Sequence, residues 1–274
     1  MSKKKHFYAL TIAGFDGSGG AGIQADIKTF SALGCYGMTV LTALPVQNTM
    51  GVQSIYSIPD KCIEEQLKAI FEDIEIDALK IGMLHRPEVI HIVAKALQQY
   101  PKLKTVLDPV MIAKSGNSLL TPAAIETLKE KLLPLVTLIT PNLPETSVLL
   151  QRDVSTKAHM EQAALDLIRM GPKAVVIKGG HLSQGLCDDC LCICNPFPEI
   201  YWFSSPRIET KNTHGTGCTF SAAVTAYFSK GVNIIEAVDM AKKYIFRCIE
   251  AGADFTVGHG NGPVHHFNSL WKED

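Results

Sequence analysis

The chain has 274 residues, 46% of them hydrophobic, and a formal net charge of −1. That is enough apolar material for a large buried core, in one large α/β domain or two small ones, and with no low-complexity stretch or long linker a single domain over residues 1–274 is expected. The near-neutral balance, with one basic run at Lys3, Lys4 and Lys5, excludes a nucleic-acid or membrane surface, and apolar stretches such as residues 36–46 fall short of the roughly 20 residues of a membrane span.

Strand-like and helix-like patterns alternate along the chain. The lysine run is followed at once by a strand over 7–13 and then Gly14-Phe15-Asp16-Gly17, so no secretory leader is expected and the protein is read as cytoplasmic. A helix over 21–33, a strand over 38–46 and a helix over 59–74, opening on Pro59, come next. Short apolar β-runs follow at 78–81, 105–107, 137–139 and 174–177, separated by helical segments at 86–99, 122–132, 143–150 and 157–170. Eight cysteines are spread over this core-forming chain and are read as thiols. Cys187, Cys190, Cys192 and Cys194 could ligate zinc, but their spacing fits a strand with Cys190, Cys192 and Cys194 on one face and Leu191 and Ile193 on the other. Last comes a glycine-rich turn, residues 211–217, running without a break into a small-residue helix. The free amides of that first helical turn make an anion site, and Cys218 sits at it, so the turn offers either a phosphate cradle or an activated thiol.

Short, almost wholly apolar strands between amphipathic helices predict a mostly parallel central sheet covered on both faces, with ligands beyond the carboxyl ends of the strands. The polar and glycine-rich residues gather at those ends: Gly14 to Gly20, Gln47-Asn48-Thr49, Gly82-Met83, Asp108-Pro109-Val110, Pro141 to Glu145 and Lys178-Gly179-Gly180-His181. Gly20-Ala21-Gly22-Ile23-Gln24-Ala25 matches a relaxed dinucleotide fingerprint, yet Gln47 stands where that fingerprint needs an acid, and no Gly-Lys-Ser/Thr triplet makes a P-loop. His214 and Cys218 could form a base and thiol nucleophile. Such a pair leaves Lys178, Asp108, Asn142 and Glu145 without a role, whereas phosphoryl transfer uses a cation, carboxylates for a metal, and amides for developing charge. The Gln47 carboxamide has the donors and acceptor to pair with the ring nitrogen and amine of an aminopyrimidine, or equally to bond backbone.

These strings, in order over nearly the whole chain, resemble the hydroxymethylpyrimidine/phosphomethylpyrimidine kinases of thiamine biosynthesis. The closing segment Val257-Gly258-His259-Gly260-Asn261-Gly262-Pro263-Val264-His265-His266-Phe267 is similar to that family's C-terminus. The resemblance implies a ribokinase-like three-layer α/β/α sandwich, use of ATP and Mg²⁺, a homodimer, and phosphorylation first of the hydroxymethylpyrimidine and then of its monophosphate. By it, Gln47, Gly14, Asp26, Met83 and Val110 line the pyrimidine pocket. Asn142, Glu145, Lys178, Thr213 and the turn Gly215, Thr216, Gly217 and Cys218 serve ATP and Mg²⁺, with Asp108 and Glu145 at the metal. Cys218 stands where related sugar kinases carry an aspartate base, and is either the base or a holder of the transferring phosphate. Phe15 and Pro45 depart from the family's pattern near the pocket, and His265-His266 is read as structural. The rival is a pyridoxal kinase sharing the His-Gly-x-Gly-Cys turn, against which Gln47 speaks, since pyridoxal has no amine beside its ring nitrogen.

Overall fold

The computed structural model describes residues 6–111, 119–180, 182 and 185–271, so the Lys3 to Lys5 run and His181 lie outside the described residues. In chain order the elements are β1 Tyr8–Ala13, α1 Gly22–Ala32, β2 Tyr36–Leu41, β3 Ala43–Asn48, β4 Gly51–Ser57, α2 Asp60–Asp73, β5 Ala78–Ile81, α3 Pro87–Leu97, β6 Lys104–Leu107 and α4 Pro122–Thr127. They continue as β7 Leu138–Ile139, α5 Leu143–Leu150, α6 Lys157–Ile168, β8 Ala174–Ile177, β9 Cys187–Cys194, β10 Pro198–Ser205, α7 Thr216–Ser229 and α8 Ile234–Gly252.

Eight strands form one sheet in the order β10-β9-β8-β7-β6-β5-β1-β2. From β2 to β8 neighbours run parallel, and β9 and β10 add an antiparallel edge. The short strands are apolar throughout because both faces are covered. Along β8, Val175 and Ile177 enter the core beneath α2, α3 and α6, while Ala174 and Val176 enter the core beneath α7 and α8. The same alternation places Cys190 and Cys192 on the first core and Leu191 and Ile193 on the second, as the spacing requires, so these cysteines serve as small apolar side chains. Among the described residues no three His, Cys, Asp or Glu side chains converge to hold a metal ion. Helix α7 lies on the sheet's second face; Ala222, Ala223 and Ala226 are fully buried and let it approach closely, and burying Phe220 and Phe228 contributes about 2–3 kcal/mol each.

The expected strand over 38–46 is two strands. At the break Thr42 donates its hydroxyl to the Met83 carbonyl at 2.6 Å, and Pro45, having no N–H, is ill suited to a central ladder. The chain therefore leaves the sheet, and β3 pairs with β4 in a separate two-stranded hairpin whose register shifts between Val46 and Gln47. The helix expected over 122–132 is α-helical only to Thr127 and then widens into a π turn, Leu128–Leu132. Three elements have no counterpart in the sequence reading: β4, β10 and α8.

Candidate active site

The loops after β1, β5, β6, β7 and β8 meet the first turn of α7 and one face of α8 around a cavity of about 790 Å³. Gly14, Gln47, Met83 and Val110 line one end of it. Asp108, Asn142, Glu145, Lys178, Thr213, Gly215, Thr216, Gly217 and Cys218 line the middle, and Phe15 and Pro45 reach the wall as well. Among the described residues the Gln47 carboxamide has no hydrogen-bond partner, so it is not the backbone-bonded loop glutamine that the sequence alone allowed.

Asp26 is the exception among the expected residues. It is fully buried behind the wall, where its carboxylate takes the Lys80 ammonium at 2.8 and 3.0 Å and the Thr11 hydroxyl at 2.7 Å. A lysine inside the apolar run of β5 needs such a partner, and Asp26 supplies it; Lys80, not Asp26, faces the cavity. Burial alone would strip the Lys80 proton, but the Asp26 carboxylate holds it on.

At the centre, Lys178 donates to Asp108 Oδ1 at 2.8 Å, and Thr140 and Ser221 hydroxyls reach the same carboxylate at 3.3 and 3.4 Å. A Cβ on Gly217 would stand 3.1 Å from Lys178 Nζ and 3.4 Å from Asp108 Oδ2, so the turn's backbone lies against this pair. Burial opposes the Lys178 charge, and Asp108 and Glu145 outweigh it, keeping the amine protonated. Asn142 and Glu145 form a capping box on α5: Asn142 Oδ1 accepts from the Glu145 N–H and Glu145 Oε2 from the Asn142 N–H, both at 2.8 Å. Burial raises the Glu145 pKa to about 7, with Lys178 pulling it down and Asp108 pushing it further up.

The turn before α7 is shaped by Gly215, at φ 79° and so close to the first loop that a Cβ would overlap the Gly20 carbonyl oxygen at 1.7 Å. That loop is organised by Asp16, which accepts from the Ser18 N–H and hydroxyl, the Gly20 and Ala21 amides, and His214 Nε2 at 2.8 Å. Burial works against the Asp16 charge, but His214 and these donors hold its carboxyl below the usual range, so His214 donates. Thr216, Gly217 and Cys218 open α7, where N–H groups have no helical carbonyl to meet. Burial pushes the Cys218 pKa up to about 11; Lys80 and the Gly22 amide pull it down less than burial, Asp26 and Asp108 raise it.

Sequence reasoning missed Lys80, the Asp16–His214 pair, and the far end of the cavity. There Lys242 of α8 donates to Asp189 of β9 at 2.7 Å, Asp189 also takes the Gly179 amide at 2.9 Å, and Ile245, Phe246 and Ile249 form an apolar wall. Only the lone lysine of β5 left a local signal; the others are pairs made by distant segments. His266, by contrast, is buried with its ring on the Thr219 hydroxyl at 3.0 Å, away from the cavity, in keeping with a structural reading.

A parallel sheet with a glycine turn, a lysine and two carboxylates at one end defines an ATP-using small-molecule kinase of the ribokinase-like fold. The chain matches the phosphomethylpyrimidine kinase family over residues 16–265 and belongs to it. It is 49% identical over 268 residues to the hydroxymethylpyrimidine/phosphomethylpyrimidine kinase of Escherichia coli (strain K12), covering 97% of this chain and 100% of that one. The crystal structure of phosphomethylpyrimidine kinase from Clostridium difficile 630 is similar at 43% identity and TM-score 0.77, over 88% of this chain and 98% of that one. An ADP complex of Bacillus subtilis pyridoxal kinase is similar at 39% identity and TM-score 0.86, over 96% of this chain and 98% of that one. Among the described residues no helix is long and apolar enough to cross a membrane.

Proposed function

We propose that this single kinase domain transfers the γ-phosphoryl group of ATP to the hydroxymethyl oxygen of 4-amino-5-hydroxymethyl-2-methylpyrimidine, and then phosphorylates the monophosphate to the diphosphate, in thiamine biosynthesis. The observation that carries the reading is the unbonded Gln47 carboxamide in the same cavity as the Lys178–Asp108 pair and the glycine turn. Gln47 pairs with the aminopyrimidine edge, with Gly14, Met83 and Val110 around the ring. The turn from Gly215 to Cys218 receives the transferring phosphate on backbone amides, and Lys178 meets its oxygens. Thr213, Asn142 and the apolar wall of α8 hold the nucleotide.

Asp108 and Glu145 are buried carboxylates whose mutual repulsion a cation would relieve, and Mg²⁺ suits one or two carboxylates completed by phosphates and water. When bound it would neutralise phosphate charge. A loose transition state asks for little deprotonation of the attacking hydroxyl before transfer, so a Cys218 thiol that keeps its proton serves as a donor to the phosphate rather than as the base. A homodimer in the cytoplasm completes the proposal.

The test is ATP consumption by the purified protein with the hydroxymethylpyrimidine, its monophosphate and pyridoxal offered separately. Turnover of both pyrimidines well above pyridoxal is expected. Preference for pyridoxal would keep the phosphate machinery and overturn the substrate.

A further inference from the structure

The C-terminal segment Val257 to His266 stands out in the sequence, yet none of it lines the cavity. Its three alternating glycines are pressed against the site's scaffold. A Cβ at Gly258 would lie 2.4 Å from Thr49 Oγ1, one at Gly260 would lie 2.0 Å from the Thr49 carbonyl oxygen, and one at Gly262 would lie 2.1 Å from Asn212 Oδ1. The first two glycines therefore fit the tip of the β3–β4 hairpin, two residues beyond Gln47, and the third fits the entry to the phosphate turn.

The hydrogen bonds divide in the same way. The Gly260 N–H donates to Thr49 Oγ1 at 3.1 Å and the Asn261 N–H to the Thr49 carbonyl at 3.0 Å. On the other side the Gly262 carbonyl accepts from the His214 N–H at 3.0 Å, and Pro263 runs beside His214 as a parallel bridge. Asn212 anchors that end by donating to the carbonyls of Gly252, Ala253 and Phe255. A two-stranded hairpin is marginal by itself. This one is held at its base, where the Phe15 N–H donates to the Ala43 carbonyl at 3.0 Å, and at its tip by the glycine segment.

We propose that residues 258–262 are a positioning strap that ties the Gln47 hairpin to the phosphate turn, so that pyrimidine and nucleotide bind cooperatively through it. The inference rests on the function proposed above. Its physical basis is that in-line transfer tolerates little error, a displacement of about 1 Å costing on the order of a hundredfold in rate. A covalent segment bonded to both holders fixes their separation.

Calorimetry of pyrimidine binding, with and without a non-hydrolysable ATP analogue and Mg²⁺, tests this on the wild type and on Thr49→Val, Thr49→Ser and Gly260→Ala. The wild type is expected to bind pyrimidine more tightly once nucleotide is present. Thr49→Val removes the acceptor for the Gly260 amide and should reduce that enhancement about fivefold, the worth of one net hydrogen bond. Thr49→Ser should restore it. Gly260→Ala should abolish it, raise the KM for pyrimidine about tenfold or more, and by linkage weaken nucleotide binding at saturating pyrimidine by the same lost factor, while leaving affinity for the analogue without pyrimidine within about twofold, since the misplaced group is the hairpin. Affinity for the analogue alone reports that the variants are folded. Wild-type binding without enhancement, or enhancement unchanged in Thr49→Val and Gly260→Ala, overturns the strap alone. Analogue binding with no pyrimidine binding in the wild type overturns the functional reading and the strap with it.

Discussion

Replacing Glu145 by Gln removes a charge from the centre of the site without disturbing its frame. Glu145 is the N3 residue of the α5 capping box, and a glutamine carbonyl can accept the same Asn142 amide. Burial, against the pull of Lys178 and with the push of Asp108, lifts the Glu145 pKa from 4.5 to about 7. The folded protein thus holds this proton to higher pH than the unfolded chain does. Glutamate's contribution to stability is complete below pH 4.5 and is lost as pH rises to about 7. At about 1.4 kcal/mol for each pH unit, that window amounts to about 3 kcal/mol. The Gln variant should therefore be close to wild type in stability near pH 4.5, gain steadily above it, and lead by about 3 kcal/mol at pH 8.5. Urea unfolding at several pH values, without divalent metal, reads this directly; in thermal melts it is worth several degrees. Phosphoryl transfer should move the other way, falling about tenfold or more as a phosphate-end carboxylate is lost. A stability difference that does not change with pH, or a Gln variant less stable than wild type at pH 8.5, refutes this account of the charge balance.

Gln47→Leu should weaken pyrimidine binding by about 1–3 kcal/mol and leave ATP binding intact, because only the ring's polar edge loses partners; calorimetry with each ligand decides it, and an unchanged pyrimidine affinity would move the pocket elsewhere. With its pKa near 11, Cys218 should react with iodoacetamide at pH 7.5 more slowly than exposed Cys62, and peptide mapping that found Cys218 labelled first would restore the activated thiol. Cys218→Ser should keep nucleotide binding. Lys80→Met leaves the Asp26 carboxylate buried with only the Thr11 hydroxyl and should cost about 3–5 kcal/mol in urea unfolding, a figure that a solvated pair could not reach.

Much of the frame was legible because the strands carry one signal throughout. β5 and β8 have the expected ends, Ala78–Ile81 and Ala174–Ile177, since every position in them is buried and apolar runs stop where burial stops. The run after α1 misled for the opposite reason: its apolar residues continue through Thr42 and Pro45, but backbone bonding does not, and a hydrophobicity pattern cannot register a missing N–H. Helix α8 carried readable marks, Asn233 capping the Glu236 amide at 3.0 Å and buried residues at Ala237, Val238, Ala241, Tyr244 and Ile245. β4 left little to read, as most of it is half-buried or exposed. At the site, Gly14, Met83, Asp108, Asn142, Glu145 and Lys178 line the cavity from the ends of parallel strands, because topology gathers those ends, whereas Gln47 reaches it from inside β3 of the separate hairpin and not from the end of a sheet strand. Asp26 was placed at the wall by the family resemblance, and nothing local says that its partner is Lys80 or that Asp189 meets Lys242. Asn142 and Glu145 earned attention as nucleotide residues, while the Asn-x-x-Glu spacing that caps a helix went unread.

The charges around the cavity are largely paired. Lys80, Lys178, Lys242 and Arg207 reach it, and Lys80 faces Asp26, Lys178 faces Asp108, and Lys242 faces Asp189. Arg207 donates to the carbonyls of Gly180 and Leu182, and Glu145 sets a fourth carboxylate against these four cations. On the proposed function a polyphosphate meets walls close to neutral rather than a basic basin, so net side-chain charge contributes little to its attraction. Fixed dipoles can add to it, because the amides of a helix's first turn are aimed before the ligand arrives. Their aim depends on Gly215, which lets the turn close on the Gly20 carbonyl, and on the Asp16–His214 bond that locks the two loops together. The role proposed for Cys218 is consistent with such a site, since a thiol that keeps its proton can donate to a phosphate oxygen without adding the negative charge that a thiolate would bring.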